Sequence, residues 1–83
     1  MSGVTGRTVV VTGANGALGQ EVVRRLVAAG AKAAVITRGA PAEEIAGLDG
    51  VSAYRADLSD RAATAEAVGR IVAEHGGADG LLH

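Results

Sequence analysis

An α/β fold built around a parallel sheet is the architecture the sequence predicts, and three observations carry it. A continuous β-branched run, Arg7-Thr8-Val9-Val10-Val11-Thr12, is followed by an amphipathic helical segment. A second apolar run, Ala33-Ala34-Val35-Ile36-Thr37, follows that helix. Two apolar strands joined through one helix make a βαβ unit, whose strands run parallel and whose crossover is right-handed.

The run over residues 7–12 lacks the polar alternation of a half-exposed strand and fits one covered on both faces. Gly13 interrupts it. Over residues 17–29, Leu18, Val22, Val23, Leu26 and Val27 recur at helical spacing with Gln20, Glu21, Arg24 and Arg25 opposite, and Gly30 supplies the stop. The second strand takes residues 33–37, with Lys32 a solvated turn residue before it. Residues 39–50, rich in Gly, Ala, Asp and Glu around Pro41, predict a short helix over 42–46, and a third strand follows over 51–56. Ser59 or Asp60 is placed to cap a long helix over 61–75, whose inner face is expected to include Ala65, Val68, Ile71 and Val72. Gly76-Gly77 ends that helix, and residues 79–83 begin a fourth strand. The order is β-α-β-α-β-α-β in a single domain, with helices expected on both faces of the sheet in three layers. Ending there, such a sheet is expected to leave one flank of the first strand unpaired, and to be marginally stable, dimeric or aggregation-prone alone.

Composition narrows the function classes. Of the 83 residues 48% are hydrophobic, but Tyr54 is the sole aromatic, so the core must come from Val, Leu, Ile and Ala. Eight Lys and Arg against nine Asp and Glu give a formal charge of −1. With no basic cluster to release counterions and no aromatics to stack on bases, a nucleic-acid partner is not expected. There is no cysteine, and His75 and His83 have no partners at metal-ligand spacing, so neither thiolate chemistry nor a metal site is expected. Apolar runs fall short of the roughly 18 residues a membrane span needs, which points to a soluble, cytoplasmic protein.

The chemistry-bearing segment is Thr12-Gly13-Ala14-Asn15-Gly16-Ala17-Leu18-Gly19, which joins a buried strand to an amphipathic helix. That is the context a dinucleotide fingerprint requires. Gly13 can adopt the angles of the sharp turn, Gly16 removes a Cβ where a diphosphate must approach, and Gly19 lets the helix pack close to the strand. Free N–H groups and the positive end of the helix then face the anion. Asn15 is either part of that cradle or a plain turn former.

Thr-Gly-x-x-Gly-x-x-Gly after a Val-rich strand resembles the short-chain dehydrogenase/reductase family, and the likeness runs through essentially the whole chain. The fold it implies is the N-terminal half of a Rossmann-type sheet. Gly13, Asn15, Gly16, Ala17, Leu18 and Gly19 would then surround the diphosphate. Asp57-Leu58 resembles the family's Asp-hydrophobic pair at the end of the third strand, where the Asp57 carboxylate would accept a hydrogen bond from the adenine amino group. A helix-capping turn is the other reading of that segment. Ala17 stands where single-domain members most often carry a glycine, with Gly16 before it, a spacing nearer the family's extended, sugar-nucleotide-type branch. The long second helix and the stretch Gly76-Gly77-Ala78-Asp79-Gly80-Leu81-Leu82 lean back toward single-domain reductases.

The resemblance also bears on the cofactor. NAD-preferring members place a carboxylate at the end of the second strand, roughly 18–20 residues past the last glycine, to hold the ribose 2′-OH. Here Thr37 and Arg38 stand there. With no carboxylate to repel a 2′-phosphate and a guanidinium able to bind it as a fork, NADP is expected over NAD, unless Arg38 is only a solvated loop charge.

Family members transfer hydride using a Tyr, a Lys four residues later and a Ser. Tyr54 is followed at that spacing by Leu58, so it is read as a packing residue. Glu74, His75 and Asp79 are read as charges that cap and solvate a helix end, and no catalytic residue is assigned. Two readings follow. The chain is the cofactor half of an oxidoreductase, its partner the C-terminal remainder of the same fold and a homo-oligomer possible; or it is a stand-alone nucleotide-binding or interaction module. Neither reading expects reductase turnover from these residues alone.

Overall fold

Alternation along the strands decides which helix covers which face. The computed structural model describes residues 6–13, 16–39 and 43–82, and within these the elements follow the expected order. They are β1 (Thr8–Thr12), α1 (Ala17–Ala28), β2 (Lys32–Thr37), α2 (Glu43–Ala46), β3 (Val51–Arg55), α3 (Arg61–His75) and β4 (Gly80–Leu82). Asn15 and His83 lie outside the described residues. Val9, Val11, Ala33 and Val35 point to one side of the sheet, where they pack with Val23 of α1 and Ile45 of α2. Their neighbours Val10, Ala34 and Ile36 point to the other, against Ala67 and Ile71 of α3, with Tyr54 and Ala56. Burial on both faces is why β1 and β2 read as unbroken apolar runs.

The strands are parallel in the order β3-β2-β1-β4. The chain steps outward from β1 to β3 and then returns past β1 to β4. With one hand for every crossover, that reversal must put α3 on the face opposite α1 and α2, as observed. It also makes the junction between β1 and β4 a topological switch point, beside which parallel α/β sheets leave a crevice at their carboxyl ends. β1 is therefore flanked on both sides, contrary to the expected bare flank: Val9, Val10 and Val11 pair with Gly80, Leu81 and Leu82. Asp79 secures this pairing, its carboxylate accepting from the Thr8 N–H at 3.0 Å.

Helix ends obey local chemistry. α1 closes with Gly30 at φ +89°, its N–H donating to the Val27 carbonyl while the Ala31 N–H reaches Leu26, a glycine-dependent reversal that turns the chain into β2. Lys32 belongs to β2 itself, its N–H donating to Arg7. α3 starts at Asp60, whose carboxylate accepts from the Ala63 N–H at 3.1 Å. Of the two capping candidates, Asp60 is the cap.

Two expected inner faces need correction. In α1, Val23 is fully buried and Leu26 and Val27 pack beside it, but Leu18 is 79% exposed. Leu18 instead lines a hollow at the mouth of α1. In α3 the buried stripe is Ala67 and Ile71 with Ala63 beside them, whereas Ala65, Val68 and Val72 are exposed. Tyr54 sets this rotation. Its ring is buried against α3 and its hydroxyl donates to Glu74 Oε1 at 2.7 Å, with His75 edge-on to the ring and Arg70 over it. Burial first, and the Glu74 carboxylate second, push the Tyr54 hydroxyl up to about 12. Glu74 and Asp79 are exposed as expected, and with His75 they also make contacts to neighbouring strands.

Candidate functional site

Parallel strands end on the same edge of a sheet, and here three of those ends converge. Gly13 follows β1, Arg38 follows β2, and Asp57 comes two residues after β3. Together with Ile36, Thr37, Ala56, Leu58 and Ser59 they line an open cleft of about 440 Å³. A second hollow of about 380 Å³ adjoins it through Gly13 and runs along the mouth of α1, lined by Val11, Thr12, Gly16, Ala17, Leu18, Gly19 and Val22. Each is within the size range of small-ligand sites, and their shared wall makes one elongated depression from the mouth of α1 along the carboxyl ends of β1, β2 and β3.

Of the glycines in the turn into α1, Gly13 has the conformation its expected role requires. Gly13 has φ +68°, a left-handed conformation that costs a side-chain-bearing residue about 1–2 kcal/mol. Gly16 is different. Its angles are φ −75° and ψ 162°, open to any residue, and a Cβ added there would find only the Gly13 carbonyl at 3.8 Å. Nothing within the described residues demands a glycine at this N-cap, and the space a side chain would enter is the hollow itself. Gly16 gives α1 no side-chain cap, and the first turn carries no acidic residue. Among the described residues no side chain caps the mouth of α1, which borders the hollow, while α3 has its own covered by Asp60. Gly19 is half-buried along the same wall. A diphosphate fits this donor set.

At the other end of the depression, Thr37 is buried and its Oγ1 donates to the Gly39 carbonyl at 2.5 Å, fixing the backbone at the end of β2. Arg38 projects from that point with its side chain 80% exposed, and its Nη2 lies 3.7 Å from Asp57 Oδ2. It therefore stands, largely solvated, at the rim of the cleft. Asp57 Oδ1 accepts from both the Ser59 N–H at 3.0 Å and the Ser59 hydroxyl at 2.7 Å. Those Ser59 bonds first, and Arg38 more weakly, hold the Asp57 carboxyl below its ordinary value. Leu58 offers an apolar surface, 41% exposed, beside them.

The structure thus brings together Gly13, Thr37, Arg38, Asp57 and Leu58 in one cleft, and Gly16, Ala17, Leu18 and Gly19 in its neighbour. Ser59 was not anticipated there, although an Asp followed two residues later by a Ser is the spacing of a side-chain-closed turn. Among the described residues there is no group of His, Cys, Asp and Glu able to hold a metal ion, and no helix is long and apolar enough to cross a membrane.

The sequence profile described as short chain dehydrogenase matches residues 7–83. No curated protein matches the chain. Among solved structures, it is similar to a 3-ketoacyl-(acyl-carrier-protein) reductase from Brucella melitensis complexed with NADH, at 32% identity and a TM-score of 0.85 over 94% of this chain and 33% of that one. It also resembles a variant of a Serratia marcescens short-chain dehydrogenase/reductase, at 29% identity and a TM-score of 0.80 over 94% of this chain and 35% of that one. The aldohexose dehydrogenase of Thermoplasma acidophilum, at 22% identity and a TM-score of 0.83 over 96% of this chain and 29% of that one, shares the fold. The chain spans about a third of the length of the solved proteins it matches.

Proposed function

The chain belongs to the short-chain dehydrogenase family, and from that membership we propose that its two adjoining hollows hold a nicotinamide dinucleotide as the cofactor-binding part of an oxidoreductase. The observation that carries the proposal is Gly16, a glycine with unconstrained angles and no neighbour to crowd it, standing at the uncapped mouth of α1. The N–H groups of the first turn of α1 bind the diphosphate there, with Gly13 shaping the turn below it. Leu58 covers one side of the adenine, and Asp57 accepts from its amino group. When bound, the nicotinamide gives or takes the hydride exchanged with a carbonyl or alcohol substrate.

Within this reading NADP is preferred to NAD. Neither Thr37 nor Arg38 is acidic, so no carboxylate at the end of β2 claims the ribose 2′-OH, and the exposed guanidinium of Arg38 lies at the cleft rim where a 2′-phosphate would come. The B. melitensis reductase holds NADH, which supports a nicotinamide dinucleotide without deciding between the two. Calorimetric titration of the chain with NADPH, NADH and ATP tests the proposal. NADPH is expected to bind most tightly and ATP most weakly; NADH binding as tightly as NADPH removes the NADP preference, and no binding of either removes the function.

A further inference from the structure

At the rim of the cleft an exposed cation, Arg38, faces a carboxylate, Asp57, that is held by hydrogen bonds. Asp57 is fixed because Ser59 holds its Oδ1 with two hydrogen bonds, which directs Oδ2 outward. Arg38 is not held in this way: its backbone is anchored beside Thr37, but its side chain is 80% exposed and its ion pair with Asp57 is a long one. The two meet at 3.7 Å, beyond ordinary hydrogen-bond length. We propose that Arg38 masks Asp57 Oδ2 in the free protein, and that a ribose 2′-phosphate unmasks it by drawing the guanidinium away.

This deepens the dinucleotide reading and rests on it. An exposed ion pair of this length contributes little and is screened by salt, whereas a phosphate takes an arginine through two parallel charge-assisted hydrogen bonds. The phosphate therefore wins Arg38. Once the guanidinium has moved, Oδ2 is open to the N–H donor of a purine base, and the base and the 2′-phosphate bind cooperatively through two side chains. A ligand with a bare 2′-OH has nothing to move Arg38, and its base must compete with the guanidinium for the same oxygen. Discrimination then has two sources: the hydrogen bonds of the phosphate to Arg38, and the removal of the mask from Asp57.

Adenosine and adenosine 2′-phosphate separate these, because adenosine carries no charge for Arg38 to attract. Both are titrated by nuclear magnetic resonance against the chain, Arg38→Ala, Asp57→Asn and the double variant. Arg38→Ala is expected to weaken adenosine 2′-phosphate about tenfold or more, yet to tighten adenosine about two- to fivefold, the scale of an exposed ion pair. In the Asp57→Asn background the tightening for adenosine should vanish. If Arg38→Ala leaves adenosine unchanged or weaker while adenosine 2′-phosphate still loses affinity, the mask is refuted and the dinucleotide reading stands. If the unaltered chain binds neither adenosine nor adenosine 2′-phosphate, both fall together.

Discussion

Thr8 and Asp79 exchange two hydrogen bonds across 71 residues: the Thr8 N–H donates to Asp79 Oδ2 at 3.0 Å, and the Asp79 N–H donates to the Thr8 carbonyl at 2.8 Å. Thr8 is buried, so its N–H would be orphaned without that carboxylate. The pair sits just ahead of the three register pairs that join β4 to β1. It therefore holds the strand that completes one side of the switch-point crevice. Asp79→Ala is expected to cost about 1–2 kcal/mol and to speed amide exchange at Val9 and Val10, while Asp79→Asn, which keeps an acceptor, should retain most of the stability. Equal unfolding midpoints for all three proteins would remove Asp79 from this role.

Ile71 and Val72 are neighbours on α3 with opposite surroundings: Ile71 is fully buried against the sheet and Val72 is 43% exposed. Truncating Ile71 to Ala leaves a void among Val10, Ala34, Ile36 and Tyr54, at a cost of about 2–4 kcal/mol. Val72→Ala trades an exposed β-branched side chain for the best helix former and should change stability by no more than about 0.5 kcal/mol. Denaturant midpoints decide the matter, and a Val72 loss equal to that of Ile71 would put Val72 on the inner face beside Ile71, as the sequence alone suggests.

The Tyr54 hydroxyl titrates near 10.0 when solvated and is pushed up to about 12 by burial and by Glu74. A group that holds its proton more tightly when folded adds stability that is complete below the unfolded value and fades as pH rises through the folded one. Thermal stability should therefore decline between about pH 10 and 12 with a component traceable to this residue. Tyr54→Phe lowers stability at neutral pH by the lost bond to Glu74, about 1 kcal/mol, but should flatten the alkaline decline. A decline of the same steepness in the Phe variant would place the alkaline sensitivity elsewhere.

How much of this was legible in the sequence depends on how many competing arrangements the residues allowed. β1 and β2 were plain, because an unbroken Val-rich or Ile-containing run suits only a strand covered on both faces. Strand-end positions were plain for the same reason: once the sheet is parallel, Gly13, Arg38 and Asp57 must share an edge. The rotation of α3 was only partly legible: Ile71 is expected inside and is found there, but the sequence groups Ala65, Val68 and Val72 with it although Ala63-Ala67-Ile71 is equally an apolar stripe at helical spacing, and the bulk of Tyr54 on β3 favours the latter. Leu18 was misplaced because periodicity counts residues around a helix axis but says nothing of what each of them faces. Ser59 was hidden by its neighbour, since Asp57-Leu58-Ser59-Asp60 contains a turn and a helix cap overlapping, and the cap is the stronger signal.

Gly13 and Gly16 lie three residues apart and should fail in opposite ways. At Gly13, φ +68° makes Ala costly by about 1–2 kcal/mol although no atom stands in its way, so Gly13→Ala should lower the unfolding midpoint and disturb binding through the turn. At Gly16 the angles are ordinary and the space is open, and serine is among the best N-cap residues. Gly16→Ser should hold stability or raise it slightly, because its hydroxyl can accept from the first-turn N–H groups of α1. Those are the donors a diphosphate needs, and the added Cβ enters the hollow the diphosphate would occupy. Dinucleotide affinity is therefore expected to drop about tenfold or more in a protein at least as stable as the original, read by NADPH titration beside thermal unfolding. A Gly16→Ser protein that binds NADPH as tightly as before would show that the mouth of α1 is not where the diphosphate sits.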